Sequence, residues 1–187
     1  MQVNARRSPH PILLTSLLGL SGAALAGTYG ATTGTVSFDY RVTVFPVHGS
    51  SGDVRADATF EPDMLGAARA TVTVPLGALK TGNGLQEEHM RGALGTDRYP
   101  NAVFTLGTVN TDTTLTPGQT LVTTATGTLS VRGVTRNVTV PLKLTLQGGA
   151  VNVATQFKFN PHDYGVDYFG GADSISILAS FALIPKP

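Results

Sequence analysis

The stretch Val134–Leu146 reads VTRNVTVPLKLTL. Val134, Val138, Val140, Leu142, Leu144 and Leu146 fall on one face of an extended chain. Thr135, Asn137, Thr139, Pro141, Lys143 and Thr145 fall on the other, with Arg136 the exception on the first. A period of two over this length defines a strand with one dry face and one wet face. Pro141 has no N–H to give to a ladder, so an edge or a bulge is expected there.

The same alternation recurs on both sides of this stretch. Phe38, Tyr40, Val42 and Val44 alternate with Ser37, Asp39, Arg41 and Thr43; Val54, Ala56, Ala58 and Phe60 alternate with Arg55, Asp57 and Thr59. Ala70, Val72 and Val74 form a third run, and Ala102, Phe104 and Leu106 a shorter one. Val151, Val153, Thr155, Phe157 and Phe159 form another, and Ile175, Ile177, Ala179, Phe181 and Leu183 close the chain. Leu121–Val131 is less regular, but its Thr, Val and Leu content suits a strand. Turn residues punctuate these runs at Gly49–Gly52, Pro62-Asp63, Thr116–Gly118, Arg132-Gly133 and Gly148-Gly149. Eight strands with short connections make an antiparallel sandwich or an up-and-down barrel, and the pattern fits either. A barrel of eight strands is just filled by its side chains or holds one small ligand. Ala56, Ala58, Ala70, Ala102 and Ala179 are small for inward positions and would leave volume.

The start of the chain differs from the rest. Arg6-Arg7, then the apolar run Ile12–Leu20, then Ala24-Leu25-Ala26 follow the order of a secretory signal peptide, and the run is too short to span a bilayer. Residues 1–26 are therefore expected to be a signal peptide, 27–33 a linker, and 34–187 the domain. The arginine pair hints at twin-arginine export, but Ser8-Pro9-His10-Pro11 follows it instead of an apolar start. Cleavage would leave eleven basic and twelve acidic residues, with no Lys/Arg cluster for a nucleic-acid backbone. The chain has no cysteine, which excludes disulfides, thiolate metal sites, a Cys nucleophile and a lipidated N-terminal Cys. The expected location is periplasmic or secreted, without a transmembrane segment; an exposed strand edge is where a homodimer would form.

One segment breaks the β pattern. Thr81–Phe104 reads TGNGLQEEHMRGALGTDRYPNAVF, and Leu85–Leu94 within it is made of helix formers. Leu85, His89 and Ala93 share a face at i, i+4 spacing. Glu87, Glu88 and His89 are consecutive, so they point about 100° apart and do not converge on a metal ion. His48 and His162 fall in expected loops without visible partners. No Ser stands in a nucleophile elbow, and Asp163 and Asp167 read as turn residues. The segment is expected to be a short helix between two strands, fixed by ion pairs and backbone hydrogen bonds and able to close one end of a barrel.

Three groups of residues resemble a known family. The first is Thr81-Gly82-Asn83, Glu87-Glu88-His89-Met90-Arg91, Tyr99-Pro100 and Phe104. The second is Gly127-Thr128-Leu129 running into Arg132-Gly133-Val134-Thr135-Arg136, and the third is Asp163-Tyr164-Gly165 ahead of Ile175 and Ile177. In this order the chain resembles the YceI-like family of bacterial proteins, lipocalin-like and polyisoprenoid-binding. Ala93-Leu94-Gly95 stands where members carry a paired Phe, and the path to Tyr-Pro is shorter. The resemblance implies an eight-stranded antiparallel lipocalin-like barrel with a short helix inserted between strands, all-β in class. It also implies an exported protein and an apolar tunnel for a polyisoprenoid or similar lipid.

On that reading the protein is a carrier, not an enzyme, and needs no cofactor. It would hold a polyisoprenoid or quinone-type lipid for transport, storage or sequestration. The expected lining is Phe38, Tyr40, Val42, Val72, Phe104, Leu142, Leu144, Phe157, Ile177 and Phe181. His89, Arg91 and Tyr99 are candidates for the mouth, an ion pair with Glu87 or Glu88 being the stronger reading of Arg91. Two other readings compete: an enzyme acting on a small apolar substrate with His89 or His162 as general base, and an envelope stress protein with a filled barrel that acts through its surface.

Overall fold

The computed structural model describes residues 27–187. The expected signal peptide lies outside the described residues. The chain forms an antiparallel sheet that closes on itself, interrupted by one α-helix. Its strands are β1 (Gly27–Ala31), β2 (Gly34–Val42), β3 (Phe45–Ser51), β4 (Arg55–Phe60) and β5 (Arg69–Pro75). After helix α1 (Gly84–Leu94) come β6 (Asn101–Val109), β7 (Thr120–Val131), β8 (Val134–Gln147), β9 (Ala150–Phe159) and β10 (Ile175–Pro185).

The ring has eight staves, because two pairs of short strands each make one. β2 and then β1 pair along the same edge of β10, Asp39 opposite Ser176 and Tyr29 opposite Pro185. β3 and β4 follow one another in the same way against β2 and β1. The order then runs β4, β5, β6, β7, β8, β9, β10 and back to β1. This settles the choice between sandwich and barrel in favour of the barrel.

Two expectations need correction. Gly27–Thr33 is not a linker: Gly27–Ala31 is a full strand, paired with both β4 and β10. Its Gly and Thr content hid it, but Ala31 is buried and Tyr29 stacks on Phe60 with ring centroids 4.2 Å apart. Gly49–Gly52 is not a turn down to Ser51, since β3 continues through it. The Phe38 ring lies where a Cβ on Gly49 would be, so the residue is Gly because an aromatic neighbour crosses it.

The strand Val134–Leu146 appears as β8, its apolar positions turned inward and its alternate positions exposed. Pro141 stands where the β8–β9 ladder ends: pairing runs from Gln147–Ala150 to Lys143–Ala154 and stops. Beyond it the two strands part, and the 3₁₀ turn Pro161–Tyr164 sits beside β8, with Arg136 Nε donating to the Asp163 carbonyl at 2.9 Å. Arg132 and Gly133 both have positive φ, 51° and 77°, as a tight two-residue hairpin between β7 and β8 requires.

At one end of the barrel the inward side chains are closely packed. Leu65, Ala68, Val109, Leu115, Ala125 and Val151 are buried there, Leu115 at 2% exposure and Val151 at 1%. At the other end the inward side chains of β5, β6, β8, β9 and β10, including Val72, Phe104, Leu142, Phe157 and Ile177, are only half-buried although they point inside. Inward residues that remain accessible mean an unfilled interior.

Candidate lipid cavity and its mouth

The unfilled interior is a cavity of about 370 Å³ with a wall that is almost wholly apolar. That volume lies at the lower end of the usual range for small-molecule sites, about 300–1,000 Å³. The five alanines noted in the sequence all stand on the wall, and each gives the space that a larger side chain would occupy. Phe38, Tyr40 and Val42 reach it from β2, Val72 from β5 and Phe104 from β6. Leu142 and Leu144 reach it from β8, Phe157 from β9, and Ile177 and Phe181 from β10. Period-two alternation places them all there, since each stave turns every second residue inward. Gly127 makes room for one of them: the Phe104 ring and the Thr105 carbonyl would both clash with a Cβ at that position. Arg69 also borders the cavity, and its guanidinium donates to the carbonyls of Ala67 at 3.0 Å and Ala68 at 2.9 Å.

Helix α1 forms part of the mouth. It begins at Asn83, whose side chain accepts from the N–H groups of Leu85 and Gln86 at 3.1 Å. It ends at Gly95, φ 63°, with Thr96 N–H donating to the Arg91 carbonyl at 3.1 Å and Gly95 N–H to Gly92 at 3.1 Å, a Schellman ending. Gln86, His89, Met90, Ala93 and Leu94 turn to the cavity. Leu85, expected on that face with His89 and Ala93, points to solvent at 62% exposure.

The cluster Glu87-Glu88-His89-Met90-Arg91 does several separate jobs. Glu87 is buried, 8% exposed, and its carboxylate accepts from Thr81 N–H at 3.0 Å and Gly82 N–H at 3.3 Å. Lys80 Nζ lies 3.2 Å from it and Arg91 3.9 Å. The Thr81 N–H is the main reason its pKa falls below the ordinary carboxylate value; burial opposes this, and Lys80 and Gly82 add to it. Lys80 in turn exchanges both backbone hydrogen bonds with Ser50 of β3. The Thr-Gly-Asn turn and Glu87 thus pin the helix to the barrel.

Of the three mouth candidates, only His89 stands on the wall, its Nδ1 3.3 Å from the Tyr168 hydroxyl. Tyr99 does not line the cavity, and Arg91 takes the stronger of its two expected readings, the ion pair. Arg91 faces Glu87 one helical turn back. Tyr99 packs its ring on Gly133 of the β7–β8 hairpin, under the Arg98 guanidinium, and fastens the end of the helix to that hairpin. Polar residues on a short helix carry no sequence mark that separates an inward from a lateral direction.

The two other histidines among the described residues are paired, contrary to expectation. His48 lies in β3 beside Asp39. His162 lies between Asp167, 2.6 Å from its Nδ1, and Asp173, 3.4 Å from its Nε2. It is not on the cavity wall, so it does not fit the part of a general base there. Among the described residues no three His, Asp or Glu side chains are grouped to hold a metal ion.

The sequence reading missed the loop between β9 and β10. Val166 and Tyr168 in this loop line the mouth. The loop is held by Arg132, which donates to the Gly165 carbonyl, by Thr43 N–H donating to Gly170, and by Ala172 N–H donating to Arg41 at 2.9 Å. Tyr164 is buried against Phe159, ring centroids 5.1 Å apart and nearly perpendicular. Tyr40 stands beneath the loop with its hydroxyl against Gly171. Burial raises the Tyr40 pKa, and the charges of Asp173 and then Asp167 raise it further, so its hydroxyl is neutral.

An antiparallel eight-stave barrel with an apolar interior and a helix at its mouth defines a lipocalin-like binding fold. The model of the YceI-like domain matches residues 28–183, and the chain belongs to that family. Among solved structures it is similar to a polyisoprenoid-binding domain from Saccharophagus degradans described as implicated in plant cell wall breakdown. The TM-score is 0.69 at 14% identity, over 86% of this chain and 99% of that one. It is similar to Burkholderia cenocepacia BcnA, with TM-score 0.68 and 19% identity over 80% of this chain and 95% of that one. It is also similar to the Campylobacter jejuni YceI protein, with TM-score 0.61 and 17% identity over 79% and 89%. The sequence has no match among curated proteins.

Proposed function

We propose that this protein is an exported, non-enzymatic lipid carrier that holds the chain of a polyisoprenoid or isoprenoid quinone in its barrel, for transport, storage or sequestration. The observation that carries this reading is the apolar cavity of about 370 Å³, bordered by helix α1 on one side and by Leu65, Leu115 and Val151 on the other. Membership of the YceI-like family, and likeness to the polyisoprenoid-binding domain from Saccharophagus degradans, point the same way. Binding works by burial: each methylene removed from water contributes about 0.8 kcal/mol, so a prenyl chain needs no polar contact to bind tightly. The ligand-binding residues are the ten apolar wall residues named above. The polar end of the ligand meets Tyr40, His89, Gln86 and Tyr168, in place of the expected Arg91 and Tyr99.

Export rests on the sequence of residues 1–26. Among the described residues no helix is long and apolar enough to cross a membrane. The reading of a filled barrel acting through its surface loses support from the cavity. Among the described residues the enzyme reading keeps only His89, and no carboxylate among them hydrogen-bonds to its ring.

The test is to express the whole chain in a bacterial host, purify the protein natively from the periplasm, and extract it with organic solvent for mass spectrometry. A stoichiometric prenyl lipid or quinone is expected. An empty extract, together with no uptake of such lipids on addition, would refute the carrier reading.

A further inference from the structure

The hairpin between β2 and β3 breaks the rules of turns. Its tip is Thr43-Val44, between the paired Val42 and Phe45. Tight two-residue hairpins take Gly, Asn or Asp at their tips. Here Thr43 adopts a left-handed φ of 55°, costly for a β-branched residue. Val44 and Phe45 project into solvent at 72% and 70% exposure. A strained turn that exposes apolar side chains is a sign of function more often than of stability.

The β9–β10 loop adds to the same spot. Thr43 N–H donates to the Gly170 carbonyl and Val42 bridges to Gly171, so the tip of the hairpin is locked to this loop. The residue before Gly170 is Phe169, which is 99% exposed. The neighbours of these three apolar residues along the chain, Val42 and Tyr168, stand on the cavity wall. Val44, Phe45 and Phe169 therefore form a projecting rim on one side of the mouth. Other exposed apolar residues, such as Val122 on β7 and Leu178 on β10, stand singly on the staves.

We propose that this rim inserts into a lipid bilayer and sets the cavity mouth against the membrane surface, so that a lipid passes between bilayer and barrel without crossing water. Rim size favours a lipid surface over a protein. Two Phe offer about 300–500 Å² and the smaller Val44 adds less than a third Phe would, whereas a stable protein interface takes about 800 Å² from each partner. Few side chains on projecting loops suit shallow insertion at the headgroup boundary. The nearby carboxylates hydrogen-bond to histidines, Asp39 to His48 and Asp167 to His162, and among the described residues no cluster of Lys or Arg stands at the rim to draw it to anionic headgroups. Insertion is therefore apolar in origin and does not depend on anionic lipid. The proposal rests on the lipid-carrier reading for its purpose but not for its test.

The chain has no tryptophan, so Phe169→Trp places a single reporter on the rim. With phosphatidylcholine vesicles the indole emission is expected to shift to the blue and to be quenched by brominated acyl chains. A Val122→Trp control should do neither. The double variant Phe45→Ser/Phe169→Ser changes only exposed side chains and is expected to keep its melting temperature. Its vesicle partition and its rate of prenyl-lipid uptake from vesicles should fall about tenfold or more, with uptake of the same lipid from detergent micelles unchanged. An indole that stays in water beside vesicles would overturn the proposal. So would equal uptake from vesicles by both proteins, or a rim-dependent dimer that excludes vesicles. Insertion without lipid uptake from any source would support docking and sink the carrier reading; uptake from micelles without insertion would do the reverse.

Discussion

The two ends of the barrel are built from the same alternation of residues and come out differently. At the closed end, Leu65 and Leu115 drop from loops into the bore and meet Val109, Ala125 and Val151, leaving almost nothing exposed. Towards the mouth the same staves carry inward rings and leucines that stay half-buried, such as Phe104, Leu142 and Phe157. The polar bonds that hold the mouth run around its circumference instead: Glu87 to Thr81 and Gly82, Arg132 to Gly165, Arg136 to Asp163. Buried clusters flank the cavity at both ends, Val54 and Leu76 beside the helix as well as Leu115 and Val151 opposite, so the difference between the ends is one of degree.

A matched pair of truncations gives the sharpest contrast. Leu115→Ala removes a side chain that is 2% exposed in the packed end and is expected to cost about 2–5 kcal/mol. Phe157→Ala removes a larger side chain, and in a packed core that costs about 3–5 kcal/mol. Its ring already borders a void, so the cost should stay under about 2 kcal/mol. Urea denaturation of the ligand-free protein measures both. Equal costs would mean that the mouth end is as tightly packed as the closed end.

The converse experiment fills the void. Ala179 lies opposite Val36 and Thr155 on β10 and faces the cavity. Ala179→Phe should leave the melting temperature nearly unchanged while lowering prenyl-lipid affinity by about tenfold or more, since the phenyl displaces the equivalent of two or more ligand methylenes. Titration with a fluorescent prenyl probe reads this out. Undiminished affinity would place the ligand elsewhere.

The contrast between the ends was only partly legible in the sequence. Strands came through wherever branched and aromatic residues alternated with polar ones, as in β8. β7 was blurred because Thr123 and Gly127 fall among its inward positions and Val122 among its outward ones. β1 and β3 were missed because Gly, Ser and Thr occupy positions where backbone pairing carries the strand. The ten wall residues were legible because inward direction in a strand follows from parity alone. The mouth was not, because it is built from a helix and a loop, where direction depends on tertiary contacts that parity does not encode. Tyr168 and Phe169 left no periodic trace at all.

The straps at the mouth predict a pH effect. Glu87 has a folded pKa below the ordinary value of 4.5, chiefly through Thr81 N–H. A depressed carboxylate pKa contributes stability that is fully present above the unfolded value and lost as pH falls through the folded one. Glu87→Gln should therefore lower the melting temperature at neutral pH. The gap to wild type should shrink as pH falls below about 4.5. A constant gap across that range would mean that the carboxylate charge is not what pins the helix.

The smallest effect is expected at the residue that first suggests chemistry. His89 is exposed, stands on the mouth wall and has the Tyr168 hydroxyl 3.3 Å from its Nδ1. A general base needs a partner that orients its ring and a substrate within reach. The hydroxyl of an exposed tyrosine on a loop is a weak orienting group, and the cavity below is apolar. His89→Ala removes one polar contact at the rim and leaves the ten apolar residues of the wall in place. Prenyl-lipid affinity should change by no more than about threefold, the scale of one exposed hydrogen bond. If the bound lipid were instead recovered chemically altered from the wild-type protein, and unaltered from the variant, His89 would be catalytic and the barrel an enzyme.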